Sequence, residues 1–177
     1  MAPGYALLLQ QLAAAYRESG EVEKAADLEM QFARLTFPGT PARATFGRGI
    51  EFLGVTLNPV EARPGGSADV WYYWRCPPDL AAAQRPIVFV HFKKDGRRFQ
   101  DDHALLVGMN PDDIACQDVG EVLIEKRTVA IPPDTVPGMY EIRLGLIDAG
   151  TKKRWAVRTD LSTRHRAVRL PVKLQIQ

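Results

Sequence analysis

The residues with the chemistry of an acid–base or metal site form one short run, Asp101-Asp102-His103, with His91 shortly before it in the chain. Two carboxylates beside an imidazole can transfer a proton or bind a metal ion. Runs of this kind also occur at solvated strand starts and turns, because clustered ionisable groups indicate a site only statistically. We therefore predict no catalytic residue and no metal ligand, and treat His91, Asp102 and His103 as candidate ligand contacts.

The sequence lacks the other common catalytic patterns. None of its three serines stands in a Gly-x-Ser-x-Gly sequence, the arrangement that presents a nucleophilic hydroxyl. The glycines of Gly47-Arg48-Gly49 and Gly65-Gly66 have the surroundings of turns rather than those of a phosphate-binding loop. These observations predict that the chain is not an enzyme and uses no cofactor.

Two helices are predicted at the N-terminus, over residues 4–18 and 21–36, because apolar residues recur there at helical spacing. Gly20 supplies the break between them. The hairpin resembles a tetratricopeptide repeat at Leu12-Ala13, Tyr16, Gly20, Ala25, Phe32 and Pro38. One such repeat cannot bury its own apolar face. We therefore expect either the last unit of a repeat array or an unrelated amphipathic hairpin packed on the following domain.

From about residue 50 the apolar period becomes two, which is typical of strands. Turn-forming pairs separate the segments, and Asp95-Gly96 is the strongest hairpin signal. Short strands without intervening helices predict an antiparallel two-sheet β-sandwich, immunoglobulin-like or jelly-roll. The expected organisation is a helical hairpin at 1–38, a linker at 39–49 and the sandwich at 50–177. The predicted strands are 50–57, 68–75, 87–93, 103–107, 122–131, 139–147, 154–158 and 166–176.

Alternation also predicts which side chains face the core. Val70, Tyr72 and Trp74 are assigned to the core together with Val88, Val90 and Phe92, because successive strand residues point to opposite faces. The opposite face then holds Trp71, Tyr73, Arg75, Phe89 and His91. If exposed, this patch is suited to stacking on a sugar ring, with Arg and His as hydrogen-bond donors. Alternatively, the hairpin or another domain covers the patch and makes it part of the core.

Two strands depart from simple alternation. In 122–131, Val122 and Ile124 share one face while Val129 and Ile131 share the other, which predicts a β-bulge near Lys126. In the last strand, Pro171 cannot donate a ladder hydrogen bond, so the strand is predicted to be an edge or to carry a bulge there.

A second resemblance rests on five runs of residues: Asp69-Val70-Trp71-Tyr72-Tyr73-Trp74-Arg75, Val88-Phe89-Val90-His91-Phe92, Phe99-Gln100-Asp101-Asp102-His103, Ile131-Pro132-Pro133-Asp134-Thr135-Val136-Pro137-Gly138-Met139-Tyr140-Glu141-Ile142 and Gly145-Leu146-Ile147-Asp148. Over roughly residues 50–158 the chain resembles the immunoglobulin-like or carbohydrate-binding-module-like sandwich at the C-terminal, non-membrane end of bacterial membrane glycosyltransferases (protein O-mannosyltransferase-like proteins). The resemblance implies a non-catalytic accessory module on the extracytoplasmic face of a membrane that binds carbohydrate or packs on such an enzyme. The alternatives are a purely structural or protein-interaction domain and, outside that context, a cytoplasmic location.

Cysteine content and charge add little about partners. Cys76 and Cys116 either form a disulfide, which would close a loop of about 40 residues and stabilise the fold by about 4 kcal/mol, or remain two thiols. A net charge of +2 is too small to indicate nucleic-acid binding. The basic cluster of Lys152-Lys153-Arg154-Trp155 and Arg164-His165-Arg166 suits an anionic glycan, lipid headgroup or nucleic acid, or a charged sheet edge. No segment has the length of a membrane span, so we predict no membrane insertion. With nucleic acid also not indicated, the partner that we expect is a glycan or another protein.

Overall fold

The computed structural model describes residues 3–21, 23–25, 28, 39–47, 49–77, 85–107 and 122–177. The chain divides into two compact units, Met1–Pro38 and Gly39–Gln177. In the first unit, helix α1 spans Pro3–Glu18, and residues 23–25 and 28 are also helical. The remainder of the predicted second helix lies outside the described residues. In the part of the chain that the structure describes, no helix is long and apolar enough to cross a membrane.

Helix α1 ends at the predicted break. Gly20 has a φ of 83°, a conformation that glycine adopts without steric cost. The backbone N–H of Glu21 then donates to the carbonyl of Tyr16 over 2.9 Å, which satisfies one of the carbonyls that a helix terminus leaves unpaired.

The second unit is mainly β. Its strands are β1 (Thr40–Phe46), β2 (Ile50–Asn58), β3 (Glu61–Ala62), β4 (Ser67–Arg75), β5 (Ile87–Lys94), β6 (Arg97–Gln100), β7 (His103–Ala104), β8 (Leu123–Ala130), β9 (Gly138–Ile147), β10 (Val157–Arg158), β11 (Thr163–Arg164) and β12 (Ala167–Ile176).

The described strands form two sheets. The five-stranded sheet has the order β10-β1-β2-β4-β8, and its neighbouring strands are antiparallel. The seven-stranded sheet has the order β11-β12-β9-β5-β6, with β3 beside β12 and β7 beside β5. The sheet is mixed, because β3 runs parallel to β12 while β9 is antiparallel to both β5 and β12.

Alternate side chains of both sheets enter a single hydrophobic core. Val70, Tyr72 and Trp74 enter it from β4, and Val88, Val90 and Phe92 enter it from β5. These are the core residues that alternation predicts. Removal of their apolar surface from water, at about 25 cal/mol per Å², is the main force that holds the two sheets together.

Two local predictions are confirmed by the strand pairing. Asp95-Gly96 forms the β5–β6 hairpin turn, with Lys94 opposite Arg97. The rings of Phe92 and Phe99 lie opposite each other in this hairpin and stack at a centroid distance of 4.6 Å. The register of β12 against β9 shifts between Arg169 and Lys173, around Pro171, as the missing N–H of proline predicts.

Two other local predictions are wrong. Residues 40–46 of the predicted linker form strand β1, because Ala42, Ala44 and Phe46 alternate into the core. The predicted bulge near Lys126 does not occur, since β8 pairs with β4 without a register shift from Leu123 to Ala130. Two of the inward positions of β8 are held by the charged residues Glu125 and Arg127. The strand does alternate, but a pattern based on apolar residues alone does not show it.

Candidate functional site

The predicted aromatic patch is divided between two sheets. Trp71, Tyr73 and Arg75 belong to β4 of the five-stranded sheet, whereas Phe89 and His91 belong to β5 of the seven-stranded sheet. All five point away from the core cluster, as predicted. Because the outward sides of two packed sheets lie on opposite sides of the core, these residues do not form one surface, and the prediction of a shared patch is wrong.

On the outer side of the five-stranded sheet, Trp71 is partly exposed and surrounded by polar side chains. Thr56 of β2 and Lys126 of β8 lie directly opposite it. The ammonium Nζ of Lys126 is 5.1 Å from the centroid of the indole ring and 2.9 Å from Oδ2 of Asp69. The hydroxyl of Thr128 donates to Oδ1 of Asp69 over 2.7 Å. We call Thr56, Asp69, Trp71, Lys126 and Thr128 the Trp71 surface.

The other predicted residues of β4 lie along the same outer side. The hydroxyl groups of Tyr73 and Thr56 are 3.1 Å apart, and Tyr73 is buried. Arg75 donates to Glu51 over 3.0 Å. Hydrogen bonds from Lys126 and Thr128 lower the pKa of Asp69, so its carboxylate stays an acceptor at neutral pH. The charges on this face therefore occur largely in opposite pairs.

On the outer side of the seven-stranded sheet, Phe89 is not available for stacking. Its side chain is 1% exposed, and the guanidinium of Arg154 lies 4.5 Å from its ring centroid. The ring of Phe89 also fills the space that a Cβ atom on Gly145 would need. His91 is also buried, with its ring 5.3 Å from that of Phe89. Burial lowers the pKa of His91, and the cations Arg98, Lys93 and Arg154 lower it further against the opposing effect of Asp102.

Asp102 and His103, the candidate acid–base pair, point in different directions. Asp102 is exposed at the end of β6, where it accepts hydrogen bonds from the backbone of Val90 and from Gln100. His103 is buried and points into the core, with its ring 5.7 Å from that of Tyr72. The partner of His103 is Asp101, whose Oδ2 lies 3.1 Å from Nδ1 of the imidazole.

A buried polar network surrounds His103. Glu125 of β8 lies on its other side, with Oε1 of the carboxylate 3.5 Å from Nε2 of the imidazole. The indole N–H of Trp74 donates to Oε2 of Glu125 over 3.0 Å, and the backbone N–H of Val107 donates to Oε1 over 3.2 Å. The network joins the two sheets, since Trp74 and Glu125 belong to one and His103 to the other.

Arg127 extends the network through a bidentate contact. Its NH2 and Nε groups donate to Oδ1 and Oδ2 of Asp101 over 2.9 Å and 3.2 Å. Burial raises the pKa of Asp101, but the hydrogen bonds from His103 and Arg127 outweigh burial and bring the pKa to about 2. Burial lowers the pKa of His103, but its contacts with Asp101 and Glu125 outweigh burial and raise the pKa to about 9. The imidazole is therefore a cation at neutral pH.

The network has the properties of a structural element. A general acid or base works best with a pKa near the operating pH, and neither Asp101 nor His103 has one. Among the described residues no group of His, Cys, Asp and Glu side chains has the arrangement of a metal site. Sequence patterns point to Asp101 and His103 of this network and place Trp74 in the core, but they do not indicate Glu125, Arg127 or the hydrogen bond of the Trp74 indole. The available signal was the broken apolar alternation of 122–131, which marks charged residues that face inward.

Cys76 lies at the end of β4 as a buried free thiol, and burial, with a smaller effect of Glu125, raises its pKa to about 12. The thiolate is the nucleophilic form of cysteine, so Cys76 is unreactive at neutral pH. Because the thiol of Cys76 is free, the disulfide alternative does not hold in this structure, and Cys116 itself lies outside the described residues.

No family matches. A scan against models of protein families finds nothing that corresponds to this chain, and no curated protein is significantly similar to it.

Proposed function

We propose that the second unit is a non-catalytic two-sheet sandwich, of the immunoglobulin-like or carbohydrate-binding-module-like kind, that binds a carbohydrate at the Trp71 surface. The N-terminal unit is proposed to be a tetratricopeptide-like hairpin that connects this sandwich to other parts of a larger assembly. The observation that carries the proposal is the partly exposed indole of Trp71 with hydrogen-bonding side chains on both flanking strands.

The chemistry of a sugar fits this surface. The C–H face of a pyranose packs against an aromatic ring, and its hydroxyl groups need donors and acceptors around the rim. Lys126 supplies a donor beside the indole, and Asp69 supplies an acceptor held ionised by its neighbours. Thr56 and Thr128 add hydroxyl groups that donate or accept. The outer side of a sheet gives such a ligand access without a deep cleft.

The experiment is glycan-array screening of the full chain, followed by calorimetric titration of any glycan retained. We expect Trp71→Ala to weaken binding at least about tenfold, which corresponds to about 1.4 kcal/mol, an amount within the range for a lost aromatic contact. Trp71→Tyr is the matched control, because it keeps a ring at the same position. Both variants must have the same circular dichroism spectrum as the unmodified chain, which shows that they are folded. Absence of any retained glycan, or equal affinity of the Trp71→Ala variant, would contradict the proposal.

A structural or protein-interaction role is the second candidate. Tyr73 points away from the core cluster and yet is only 3% exposed, so the chain itself already covers this part of the outer side, as expected for a face with a structural role. A chain that retains no glycan, but whose Trp71→Ala variant loses a partner protein that the unmodified chain binds, would favour this role over carbohydrate binding.

A further inference from the structure

The strands of the seven-stranded sheet carry a strong local excess of positive charge. Strands β5, β6 and β12 contain two lysines or arginines each and β9 contains one, while Glu141 is the only acidic residue in these four fully described strands. The whole chain has a net charge of only +2. The excess is therefore concentrated on one part of the molecule, which is the electrostatic signature of a surface for an anionic partner.

The strand register places most of these cations on the outer side of the sheet. Lys93 lies opposite Arg98 on one side and Glu141 on the other, and Lys173 continues this row. In the next row Arg143 lies between His91 and Arg169. Directly opposite residues of antiparallel strands share a face. The two rows cross β6, β5, β9 and β12, a width of about 14 Å at the usual strand spacing.

The segment after β9 adds further cations to the same side. Arg154 lies over the ring of Phe89, and the backbone of Arg166 approaches Gly145. Arg164 is close enough to contribute to the lowered pKa of Lys93, after burial and with Arg143, Arg98 and Arg154. The combined surface is called the basic face and comprises Lys93, Arg98, Arg143, Arg154, Arg164, Arg166, Arg169 and Lys173.

This arrangement costs stability. Like charges directly opposite each other in a sheet are destabilising, and the pairs Lys93–Arg98 and Arg143–Arg169 are of this kind. Glu141 compensates only part of the charge through ion pairs of 3.5 Å with Arg143 and 2.7 Å with Arg169. His165 and Arg166 form the turn before β12 with φ angles of 52° and 60°, where asparagine and glycine are favoured. An external anion that neutralises these cations would offset the part of this cost that comes from repulsion between them.

We propose that the basic face docks the protein on an anionic phospholipid surface. The cations are spread in two dimensions over four strands, which matches a flat layer of headgroups better than the linear backbone of a nucleic acid. The aromatic ring on this side, Phe89, is covered by Arg154 and cannot act as the base-stacking platform that single-stranded nucleic acids use. Met139, 47% exposed on the outer side of β9 beside Gln175, adds an apolar side chain for the headgroup boundary.

The test is vesicle co-sedimentation of the full chain with mixed phosphatidylserine and phosphatidylcholine vesicles and with pure phosphatidylcholine vesicles. We expect binding only to the mixed vesicles, and its loss at about 1 M salt, where screening reduces the Debye length to about 3 Å. The double variant Lys93→Ser with Arg98→Ser should reduce the partition coefficient about 25-fold, since each cation near an anionic surface contributes a factor of about five. The same variant should keep about the unfolding temperature of the unmodified chain, because the opposed pair of like charges that it removes is balanced by the loss of the cation opposite Glu141.

The matched control is Arg43→Ser with Arg158→Ser, which removes the same charge from exposed positions of the five-stranded sheet. Its vesicle binding should stay within about twofold of the original, given the short range of screened charge interactions. The proposal would be overturned if the two double variants lost vesicle binding equally, or if the protein bound both kinds of vesicle equally. It would also be overturned if the protein bound an oligonucleotide tightly and did not bind the vesicles. Trp71→Ala should leave vesicle binding unchanged, so the outcome is separable from that of the carbohydrate proposal.

Discussion

The imidazole of His103 and the carboxylate of Glu125 face each other from different sheets, with Nε2 and Oε1 3.5 Å apart. His103 lies on β7 at the edge beside β5, and Glu125 lies on β8 at the edge of the five-stranded sheet. Among the other described residues, the two sheets meet through the hydrophobic core. At this edge a charged network spans the interior, and its protonation state therefore contributes to the stability of the fold.

We expect the free energy of unfolding to decrease as the pH rises from about 6.5 to about 9. Contacts with Asp101 and Glu125 raise the pKa of His103 from 6.5 to about 9 in the folded chain. The stabilising contribution is fully present below the unfolded pKa and is lost as the pH rises through the folded pKa. The shift corresponds to about 3 kcal/mol. Urea unfolding at a series of pH values measures it.

The control for this pH dependence is a second histidine. His103→Gln should flatten the profile between pH 6.5 and 9, whereas His165→Gln, at an exposed turn, should leave it unchanged. A profile that stays steep in the His103→Gln variant would assign the titration to another group. At the acidic end, the lowered pKa of Asp101, about 2, predicts that stability present above about pH 4 is lost as the pH falls through 2.

Replacement of Glu125 by alanine should lower the free energy of unfolding by about 3 kcal/mol. The variant leaves the indole N–H of Trp74, the backbone N–H of Val107 and the charge of His103 without their acceptor, and removal of one partner from a buried ion pair has a cost of this size. Glu51→Ala is the matched control, because Glu51 forms an exposed ion pair with Arg75 at 3.0 Å. Its effect should stay below about 1 kcal/mol. If Glu125→Ala lowered the free energy of unfolding as little as Glu51→Ala does, the buried network would contribute no more than an exposed ion pair.

Sequence patterns were sufficient for the apolar part of this fold and insufficient where charges enter the core. Alternation of Val88, Val90 and Phe92 identifies the inward face of β5 because each of these residues is apolar. The same rule fails for β8, where Glu125 and Arg127 occupy inward positions and the apolar pattern alone predicts a bulge that does not occur. Only the three-dimensional neighbours Asp101, His103 and Trp74 explain why charged residues are tolerated there.

Alternation also does not specify which sheet a strand joins. Alternation predicts that Trp71 and Phe89 both point away from the core, and both do. Their separation onto opposite sides depends on β4 pairing with β2 and β8 while β5 pairs with β9. These pairings connect residues far apart in the chain. The local pattern of two segments therefore predicts which side chains point inward and which point outward. Whether the outward side chains form one surface depends on which sheet each strand joins.

Replacement of Tyr72 by phenylalanine should leave stability unchanged or raise it by up to about 1 kcal/mol. The Tyr72 hydroxyl is fully buried and has no hydrogen-bond partner among the described residues, and burial raises its pKa well above 10. Removal of an unsatisfied buried hydroxyl eliminates its desolvation penalty. Tyr140→Phe is the control, because the Tyr140 hydroxyl donates to the carbonyl of Val136 over 2.9 Å and its loss should cost about 1 kcal/mol. If Tyr72→Phe lowered the unfolding temperature more than Tyr140→Phe, the Tyr72 hydroxyl could not be the unsatisfied one of the two.

The turn between β11 and β12 should be stabilised by His165→Asn combined with Arg166→Gly. Both residues have left-handed backbone conformations, with φ angles of 52° and 60°, and bridge Arg164 to Ala167 in a two-residue hairpin. Asn-Gly favours these angles, so we expect a gain of about 1 kcal/mol in unfolding free energy. Asp95→Asn is the control at a turn that already contains glycine, and should change little. A gain in stability together with weaker binding to anionic vesicles would indicate that the cationic turn is retained for docking at the expense of the fold.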